Sequence, residues 1–399
     1  PIIDAISSWW CKSLGHRHPK LVKACESQLE LFEHVIFANT TYDIIVQLSE
    51  KLVELCSPLS RVFYASDGSS AVEIALKMSH QAQEAVGNSN KCLVAYLENS
   101  YHGETILAMS VSDCDIYKHQ FKKLLLQQHT YKISGVPYLL TVDDPLWDDC
   151  SEIWPGIEKQ LDPIADKLAT IIVEPLVQGA GGMLIYSKDF IRRLYEWAQD
   201  NKVHFVADEI MTGFWKTGKC FAYEYAGIVP DFVCVGKGLT GGVMPFSAVI
   251  TSEEIYNLFY GDYDIKKNFL HSHTYSGHAL SAAVALEAIR CYEDMNVSKK
   301  IKKLSVLLRE SMLAVQESTG LLTSIRSLGT IIAADILNKK NINRLGYKIH
   351  IESLSRGLLI RPLDLTMYWL PPFIINQAQI LEIENASIQA IISATRNVE

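Results

Sequence analysis

The chain has 399 residues, 48% of them hydrophobic, and its 37 basic and 45 acidic side chains give a formal net charge of −8. This acidic balance gives no reason to expect nucleic acid or an anionic membrane surface as a partner. No stretch reaches the roughly 18 apolar residues of a spanning helix, and the length predicts one large and one smaller domain.

Nine cysteines are scattered along the chain, and none belongs to a C-x-x-C pair. An odd number without metal-ligand spacing predicts reduced thiols in a cytoplasmic protein, not disulfides or a metal site. The sequence starts on Pro1 without a recognisable signal peptide, and we expect further residues before it.

The apolar pattern predicts helices first and then alternating strands and helices. Residues 17–57 show helical periodicity. A strand at 61–65, a turn at 66–70 and a helix at 71–78 follow. Further short apolar strands are predicted at 92–96, 170–175, 203–207 and 232–235. Unbroken apolar strands that alternate with helices indicate an α/β fold with a mostly parallel sheet covered on both faces.

The C-terminal part has a different pattern. Helices are predicted from about residue 276, at 299–317 and at 380–395, with mixed short segments between the last two. This mixture is typical of a smaller α+β domain. The connection 131–154 is long and rich in turn residues, and we expect it to form an active-site loop.

Two charged residues follow neighbouring strands. Lys237 lies among glycines just after the strand at 232–235, and Asp208 follows the strand at 203–207. A lysine with a lowered pKa can form a Schiff base, and a carboxylate can pair with a pyridinium nitrogen. Together they indicate a pyridoxal 5′-phosphate (PLP) site. Each could also be an ordinary ion-paired residue at a strand end, and Glu209 fits the local pattern as well as Asp208 does.

The turn before the helix at 71–78 offers a possible phosphate site. Gly68 and Ser69 lie where free backbone N–H groups and a helix dipole attract an anion. A capping box built on Ser70 and Glu73 explains the same residues without any ligand.

Four more residues could line a substrate pocket. Tyr101 follows a predicted strand and could stack on a planar cofactor, or fill the core. Trp9 and Trp10 could wall an apolar pocket or an interface. Arg361 could grip a carboxylate with two hydrogen bonds, or form a structural salt bridge.

Taken together, these segments resemble the class III, fold-type I PLP-dependent aminotransferases over nearly the whole chain. The motifs that carry the resemblance are Ser-Ser-Trp-Trp at 7–10, Asn-Ser-Tyr-His-Gly at 99–103, Val-Glu-Pro-Leu-Val-Gln-Gly-Ala-Gly-Gly-Met at 173–183, Ala-Asp-Glu-Ile-Met-Thr-Gly-Phe at 207–214, Gly-Lys-Gly-Leu-Thr-Gly-Gly at 236–242 and Ile-Arg-Pro at 360–362. The motifs at 7–10 and 178–183 resemble in particular the branch of this family that acts in biotin biosynthesis.

The resemblance implies a large PLP-binding domain at 41–275 with a mostly parallel seven-stranded sheet. It implies a smaller α+β domain built from 1–40 and 276–399. It also implies a homodimer with shared active sites and no metal. The reaction would convert 8-amino-7-oxononanoate to 7,8-diaminononanoate, with S-adenosylmethionine as amino donor.

The resemblance also implies roles for single residues. Lys237, Asp208 and Tyr101 would be catalytic and would contact PLP. Gly68, Ser69, His273 and Thr274 would complete the cofactor site, with Thr274 reaching the phosphate bound by the other subunit. Substrate would contact Trp9, Trp10, Tyr101, Ser272 and Arg361, the last through its carboxylate.

Three positions depart from the family pattern. Lys216 replaces the usual Arg, His273 lies where the family often has Pro, and Glu104 replaces Asp. In the family these positions lie near the amino-donor side, so lysine stays open as donor. Two further functions also stay open, namely another class III ω-aminotransferase that acts on ornithine, 4-aminobutyrate or a diamine, and a catalytically silent scaffold.

Overall fold

The computed structural model describes residues 1–262 and 265–396. Its strands are β1 (Ile3–Asp4), β2 (Arg61–Ala65), β3 (Leu93–Leu97), β4 (Thr130–Ile133), β5 (Tyr138–Leu139), β6 (Leu168–Val173), β7 (Val177–Gln178), β8 (Leu184–Tyr186), β9 (His204–Asp208), β10 (Phe232–Val235), β11 (Ser247–Thr251), β12 (Leu322–Leu328), β13 (Ile331–Ile336), β14 (Leu358–Leu359) and β15 (Thr366–Trp369).

The α-helices are α1 (Ser7–Trp10), α2 (Pro19–Leu29), α3 (Asp43–Leu55), α4 (Gly68–Ala85), α5 (Ile106–Ser110), α6 (Asp115–Lys118), α7 (Trp154–Leu161), α8 (Lys188–Asp200), α9 (Glu253–Leu258), α10 (Ala279–Asp294), α11 (Val297–Thr319), α12 (Leu345–Ser355) and α13 (Gln377–Arg396). Short 3₁₀ turns lie at His119–Leu124, Gln127–His129, Pro145–Trp147, Asp162–Lys167, Ala222–Tyr225 and Lys237–Thr240. Among the described residues, no helix is both long and apolar enough to cross a bilayer.

A seven-stranded sheet in the order β2-β11-β10-β9-β6-β3-β4 forms the centre of the fold. Strands β10, β9, β6, β3 and β4 pair in parallel, and β11 runs antiparallel to both of its neighbours. Every residue of β6, β10 and β11 is buried, as expected for strands covered on both faces. The predicted α/β fold with a mostly parallel seven-stranded sheet is confirmed.

A second apolar core lies in the C-terminal part of the chain. It joins α11, α12 and α13 to the antiparallel sheet β12-β13-β15. The N-terminus joins this part, because β1 pairs in parallel with β14 and Ala5 is buried in the same core. Helix α10, by contrast, packs against α2 and α3. The domain boundaries at 40/41 and 275/276 stay predictions.

Two sequence-based expectations need correction. The predicted helical region 17–57 is two helices, α2 and α3, separated by an irregular segment at 30–42. The connection 131–154 begins as β4, which pairs with β3 at the edge of the large sheet. None of its residues lines the cavity described below, so the expectation of an active-site loop there was wrong.

Arg326 ties the C-terminal sheet to the loop that follows β7. Its guanidinium is buried and donates to Gly182 O (2.6 Å), Met183 O (3.1 Å), Ser324 O (2.9 Å) and Asp335 Oδ1 (2.8 Å). A planar group with five donors can satisfy several carbonyls at once. The glycine-rich loop at 179–182 is therefore fixed from the C-terminal side.

We predict that Arg326→Met lowers the free energy of unfolding by about 3 kcal/mol, because it leaves buried carbonyl oxygens without a donor. Urea denaturation followed by circular dichroism measures this. Arg309→Met, on the exposed face of α11, is the matched control and should change stability by no more than about 0.5 kcal/mol. A loss below about 1 kcal/mol at Arg326 would contradict the argument.

Candidate active site

Five strands of the large sheet end at one edge, and the residues that follow them enclose a cavity of about 480 Å³. Parallel strands carry their carboxyl ends to the same edge, where α/β folds bind ligands. The cavity residues placed in this way are Asp67, Gly68 and Ser69 after β2, Tyr101 and His102 after β3, Glu174 after β6, Asp208 at the end of β9 and Lys237 after β10.

Lys237 reaches the cavity from a strained turn. Its φ is +42°, a left-handed value uncommon for a residue with a side chain. The amine Nζ lies 4.7 Å from the centre of the Trp10 ring. Burial lowers the pKa of Lys237, while the carboxyl groups of Asp208 and Glu174 act in the opposite direction. The site thus favours an amine that loses its proton more readily than a surface lysine does.

Asp208 and Glu209 are adjacent but point to different places. Asp208 lines the cavity, and its Oδ2 lies 2.7 Å from Nδ1 of the buried His102. Glu209 instead accepts hydrogen bonds from Thr212 Oγ1 (2.6 Å) and the Tyr223 backbone N–H (2.8 Å), away from the cavity. The local pattern left both acids open, and only Asp208 faces Lys237's cavity.

Glu174 links two walls of the cavity. Its carboxyl group accepts from the backbone N–H groups of Tyr101 (2.8 Å) and Gly179 (3.0 Å), and burial raises its pKa to about 7. Tyr101 packs its ring against Tyr117 and donates its hydroxyl to Glu104 Oε1 at 3.1 Å. Glu174 therefore fixes the backbone at Tyr101 from inside the protein.

Helix α4 points its N-terminus into the cavity at Gly68 and Ser69. Asp67 and not Ser70 caps this helix, since the Asp67 carboxylate accepts from the N–H group of Ser70 at 2.9 Å. Glu73 accepts from the N–H group of Leu107 at 2.9 Å instead, so the capping box predicted on Ser70 and Glu73 was wrong. The first N–H groups of a helix have no partner within it. A side chain on Gly68 would come within 3.0 Å of Ile210, so glycine keeps this wall of the cavity open.

The two tryptophans enter the cavity through an irregular turn. Ser7, Ser8 and Trp10 all have positive φ, and the Asp4 carboxylate accepts from the N–H groups of Ile6 (3.1 Å) and Ser8 (2.6 Å). Trp10 is buried and donates its indole N–H to Tyr368 Oη at 3.0 Å, whereas Trp9 is 56% exposed. Both line the cavity, one near Lys237 and the other towards the opening.

Arg361 lies on the rim of the cavity. Its guanidinium carbon is 4.7 Å from the centre of the Trp9 ring, a cation–π contact that fixes the planar group. Arg361 is exposed and forms no ion pair with any carboxylate in the described parts of the chain. The structural salt bridge that the sequence left open for Arg361 is therefore not what the structure shows.

Ser272, His273 and Thr274 do not line this cavity. Ser272 and Thr274 are exposed, and the imidazole Nε2 atoms of His271 and His273 lie 2.7 Å apart. The structure thus brings together Trp9, Trp10, Gly68, Ser69, Tyr101, Asp208, Lys237 and Arg361, but not these three residues.

The sequence assigned no role to His102 or Glu174. Both stand inside motifs that carried the family resemblance. Glu174 directly follows β6, whereas His102 lies five residues beyond the end of β3, and neither shows a distinctive spacing. Among the positions that differ from the family pattern, Glu104 lines the cavity and Lys216 does not.

The cavity fits PLP. A partly buried amine, a buried carboxylate and a helix N-terminus face it, and they match the aldehyde, the pyridine nitrogen and the phosphate of that cofactor. The Nε2 atom of His102 is buried without a hydrogen-bond partner within the described chain, beside Asp208.

The family model of class III aminotransferases matches residues 1–392. The adenosylmethionine-8-amino-7-oxononanoate aminotransferase of Helicobacter pylori is 37% identical over 95% of this chain and 85% of that protein. The enzyme of the same name from Aquifex aeolicus is 33% identical over 94% and 84%.

Solved structures of aminotransferases have the same fold as this chain. The adenosylmethionine-8-amino-7-oxononanoate aminotransferase of Methanocaldococcus jannaschii superposes with a TM-score of 0.89 at 29% identity, over 98% of this chain and 89% of that chain. An amine transaminase from an uncultivated Pseudomonas species, in its PLP-bound form, gives 0.88 at 25% identity, over 98% and 91%. The chain belongs to the class III aminotransferases and is a PLP-dependent enzyme.

Proposed function

We propose that this enzyme transfers an amino group to the ketone of 8-amino-7-oxononanoate, which gives 7,8-diaminononanoate in biotin biosynthesis, with S-adenosylmethionine as donor. The observation that carries the proposal is the pairing of Arg361 with Trp9 at the rim of a cavity whose far wall holds Lys237. The names of the relatives from H. pylori and A. aeolicus support the same substrate and donor.

The proposed substrate is a nine-carbon acid with its ketone far from its carboxylate. Arg361 would bind the carboxylate with two parallel hydrogen bonds. The alkyl chain would lie against Trp9, Trp10 and Tyr101, and each buried methylene contributes about 0.8 kcal/mol. The length of the chain would then place the ketone beside Lys237.

Bound PLP supplies a carbonyl that takes up the amino group of the donor and a ring that accepts electrons from the reacting carbon. Lys237 would hold the cofactor covalently, and its released amine would move the proton at the reacting carbon. Asp208 would keep a proton on the ring nitrogen, and His102 Nδ1 donates to an ionised Asp208 and so keeps this carboxylate in place.

The remaining cavity residues would orient the cofactor. Gly68 and Ser69 would bind its phosphate through the N-terminal N–H groups of α4. Tyr101 would lie against its ring, at the position that Glu174 fixes. These contacts would orient the cofactor ring relative to the substrate bond that breaks.

The donor has a second candidate, lysine. Glu104 places a carboxylate at the cavity, where it would attract a cationic donor, and both S-adenosylmethionine and lysine are cations. Arg361 on Trp9 favours a carboxylate-bearing acceptor over a plain diamine, which argues against the other ω-aminotransferase activities. We place the reaction in the cytoplasm, where the nine free cysteines would stay reduced.

We also propose a homodimer whose partner completes the cofactor site. The segment at 34–37 contacts the segment around Thr274, because His34 Nε2 lies 2.9 Å from Thr274 O. Large apolar side chains are exposed around this contact, namely Val35, Ile36, Leu270 and Tyr275. A second copy would cover them and bring Thr274 to the other cofactor phosphate.

The half-reactions test the function. We predict that S-adenosylmethionine bleaches the visible absorption of the PLP-loaded protein and that 8-amino-7-oxononanoate restores it. Lysine as the bleaching agent would identify lysine as the donor. Bleaching by neither donor, or no recovery with the keto acid, would contradict the proposal.

Lys237→Ala should bind PLP without this absorption and without turnover, while Lys188→Ala, on the surface at α8, should behave as the native protein does.

Arg361→Lys should raise KM for the acceptor about tenfold with a smaller change in kcat, since a lysine cannot form the bidentate contact. Steady-state kinetics with the methyl ester of the acceptor provides the sharper comparison. The ester should be a poor substrate for the native enzyme and should lose little more in the variant. Arg356→Lys, an exposed arginine paired with Glu352, is the control. Equal losses with acid and ester would rule out carboxylate recognition by Arg361.

Ile36→Asp should convert the dimer largely to monomer, because it places a charge in the apolar interface. Sedimentation equilibrium measures this, and Leu381→Asp, at another exposed apolar position on α13, should leave the dimer intact. A native chain that sediments as a monomer would refute the proposed assembly.

A further inference from the structure

Lys216 is a buried lysine that the proposed reaction does not use. It is 1% exposed, and its amine donates to Gly213 O at 3.2 Å without forming an ion pair among the described residues. Burying an ammonium group without a carboxylate partner costs folding free energy. A structural ion pair therefore does not explain the lysine at this position.

The amine lies directly behind Lys237. Its Nζ is 2.9 Å from the point where a Cβ on Gly238 would stand. Gly238 follows Lys237 in the chain, and consecutive Cα atoms are about 3.8 Å apart, so Nζ lies within roughly 8 Å of the Lys237 Cα. A side chain at 238 would displace the amine from this position.

The loop that carries Lys216 is held in position. Phe214 and Trp215 have positive φ, and the Lys216 carbonyl accepts from the N–H group (2.9 Å) and the hydroxyl (3.2 Å) of Thr330. The backbone of Gly329 also packs tightly against Lys216 and Thr217. The amine is thus directed at the turn of Lys237 by a fixed backbone.

The charges around the two lysines differ. Asp208, Glu174 and Cys11 act on Lys237, whereas Cys11 and Glu209 act on Lys216. Burial and the charge of Lys237 lower the pKa of Lys216 to about 7. Burial also lowers the pKa of Lys237, while Asp208 and Glu174 act in the opposite direction. Coulomb repulsion is reciprocal, so a charge on Lys216 also disfavours a proton on Lys237.

We propose that Lys216 is a positioning residue whose charge controls the protonation of the Lys237 nitrogen. A positive charge at 216 repels a proton on Lys237 and so favours its neutral form. Arginine, the usual family residue here, would keep that charge at every working pH, whereas the lysine of this chain can lose it. The inference rests on the proposed role of Lys237 as the residue that holds the cofactor.

The test is a pH titration of the visible absorption of the full-length, PLP-loaded protein, whose midpoint reports the protonation of the Lys237 nitrogen. Native protein, Lys216→Arg and Lys216→Met are compared. We expect the lowest midpoint with Arg, the highest with Met, and the native value between them. The two variants should differ by about one pH unit, because only the arginine variant keeps a positive charge behind the turn of Lys237.

The outcomes separate charge from packing. Midpoints that agree between the Arg and Met variants would overturn the inference, even if both differ from the native protein, because such a shift would come from altered packing. If Lys216→Met does not fold, the comparison of Arg with native protein decides, and a midpoint that is not lowered overturns the inference. A native protein without visible absorption would refute the role of Lys237 itself, and the inference would fall with the proposed function.

Discussion

The active site depends on the balance of charge around one buried amine. Lys237 shares its cavity with Asp208 and Glu174, and neither carboxyl group pairs with a lysine or an arginine among the described residues. Burial lowers the pKa of Lys237 and raises that of Glu174, so it disfavours the charged form of both groups. The carboxyl groups of Asp208 and Glu174 oppose this effect on Lys237, and His102 and backbone N–H groups hold the two carboxyl groups in place. A cofactor with a cationic ring and an anionic phosphate complements such a site.

The sheet brings these charged groups together, although they follow different strands of the chain. Val233 and Cys234 of β10 pair with Ala207 and Asp208 of β9, so the end of one strand sets the position of the next. A shift of one residue would turn Asp208 away from the cavity and bring Glu209 into it. The apolar strands, buried on both faces, set the register, and the chemistry at the sheet edge follows from it.

Sequence therefore predicted some of the site and missed the rest for a physical reason. Lys237 and Asp208 were found because charged residues are conspicuous after unbroken apolar strands. His102 and Glu174 form hydrogen bonds with residues far away in the chain, and no spacing of residues in the sequence predicts such contacts. The edge strand β4 was missed because it has no unbroken apolar run and only its last residue is fully buried. The antiparallel strand β11 was missed as well, although all of its residues are buried. The contribution of Thr274 depends on assembly and stays a prediction.

In the proposed reaction, selectivity would follow from the distance between two points, Arg361 and Lys237. Arg361 is placed at the rim by its contact with Trp9, and Trp9 is placed by a turn that Asp4 holds. Lys237 is placed by the large sheet. The turn belongs to a segment that pairs with β14 and shares the C-terminal core, so the two points are set by different parts of the fold. A small movement between these parts would change which acids reach from one point to the other. Chain-length preference can therefore change without any substitution inside the cavity.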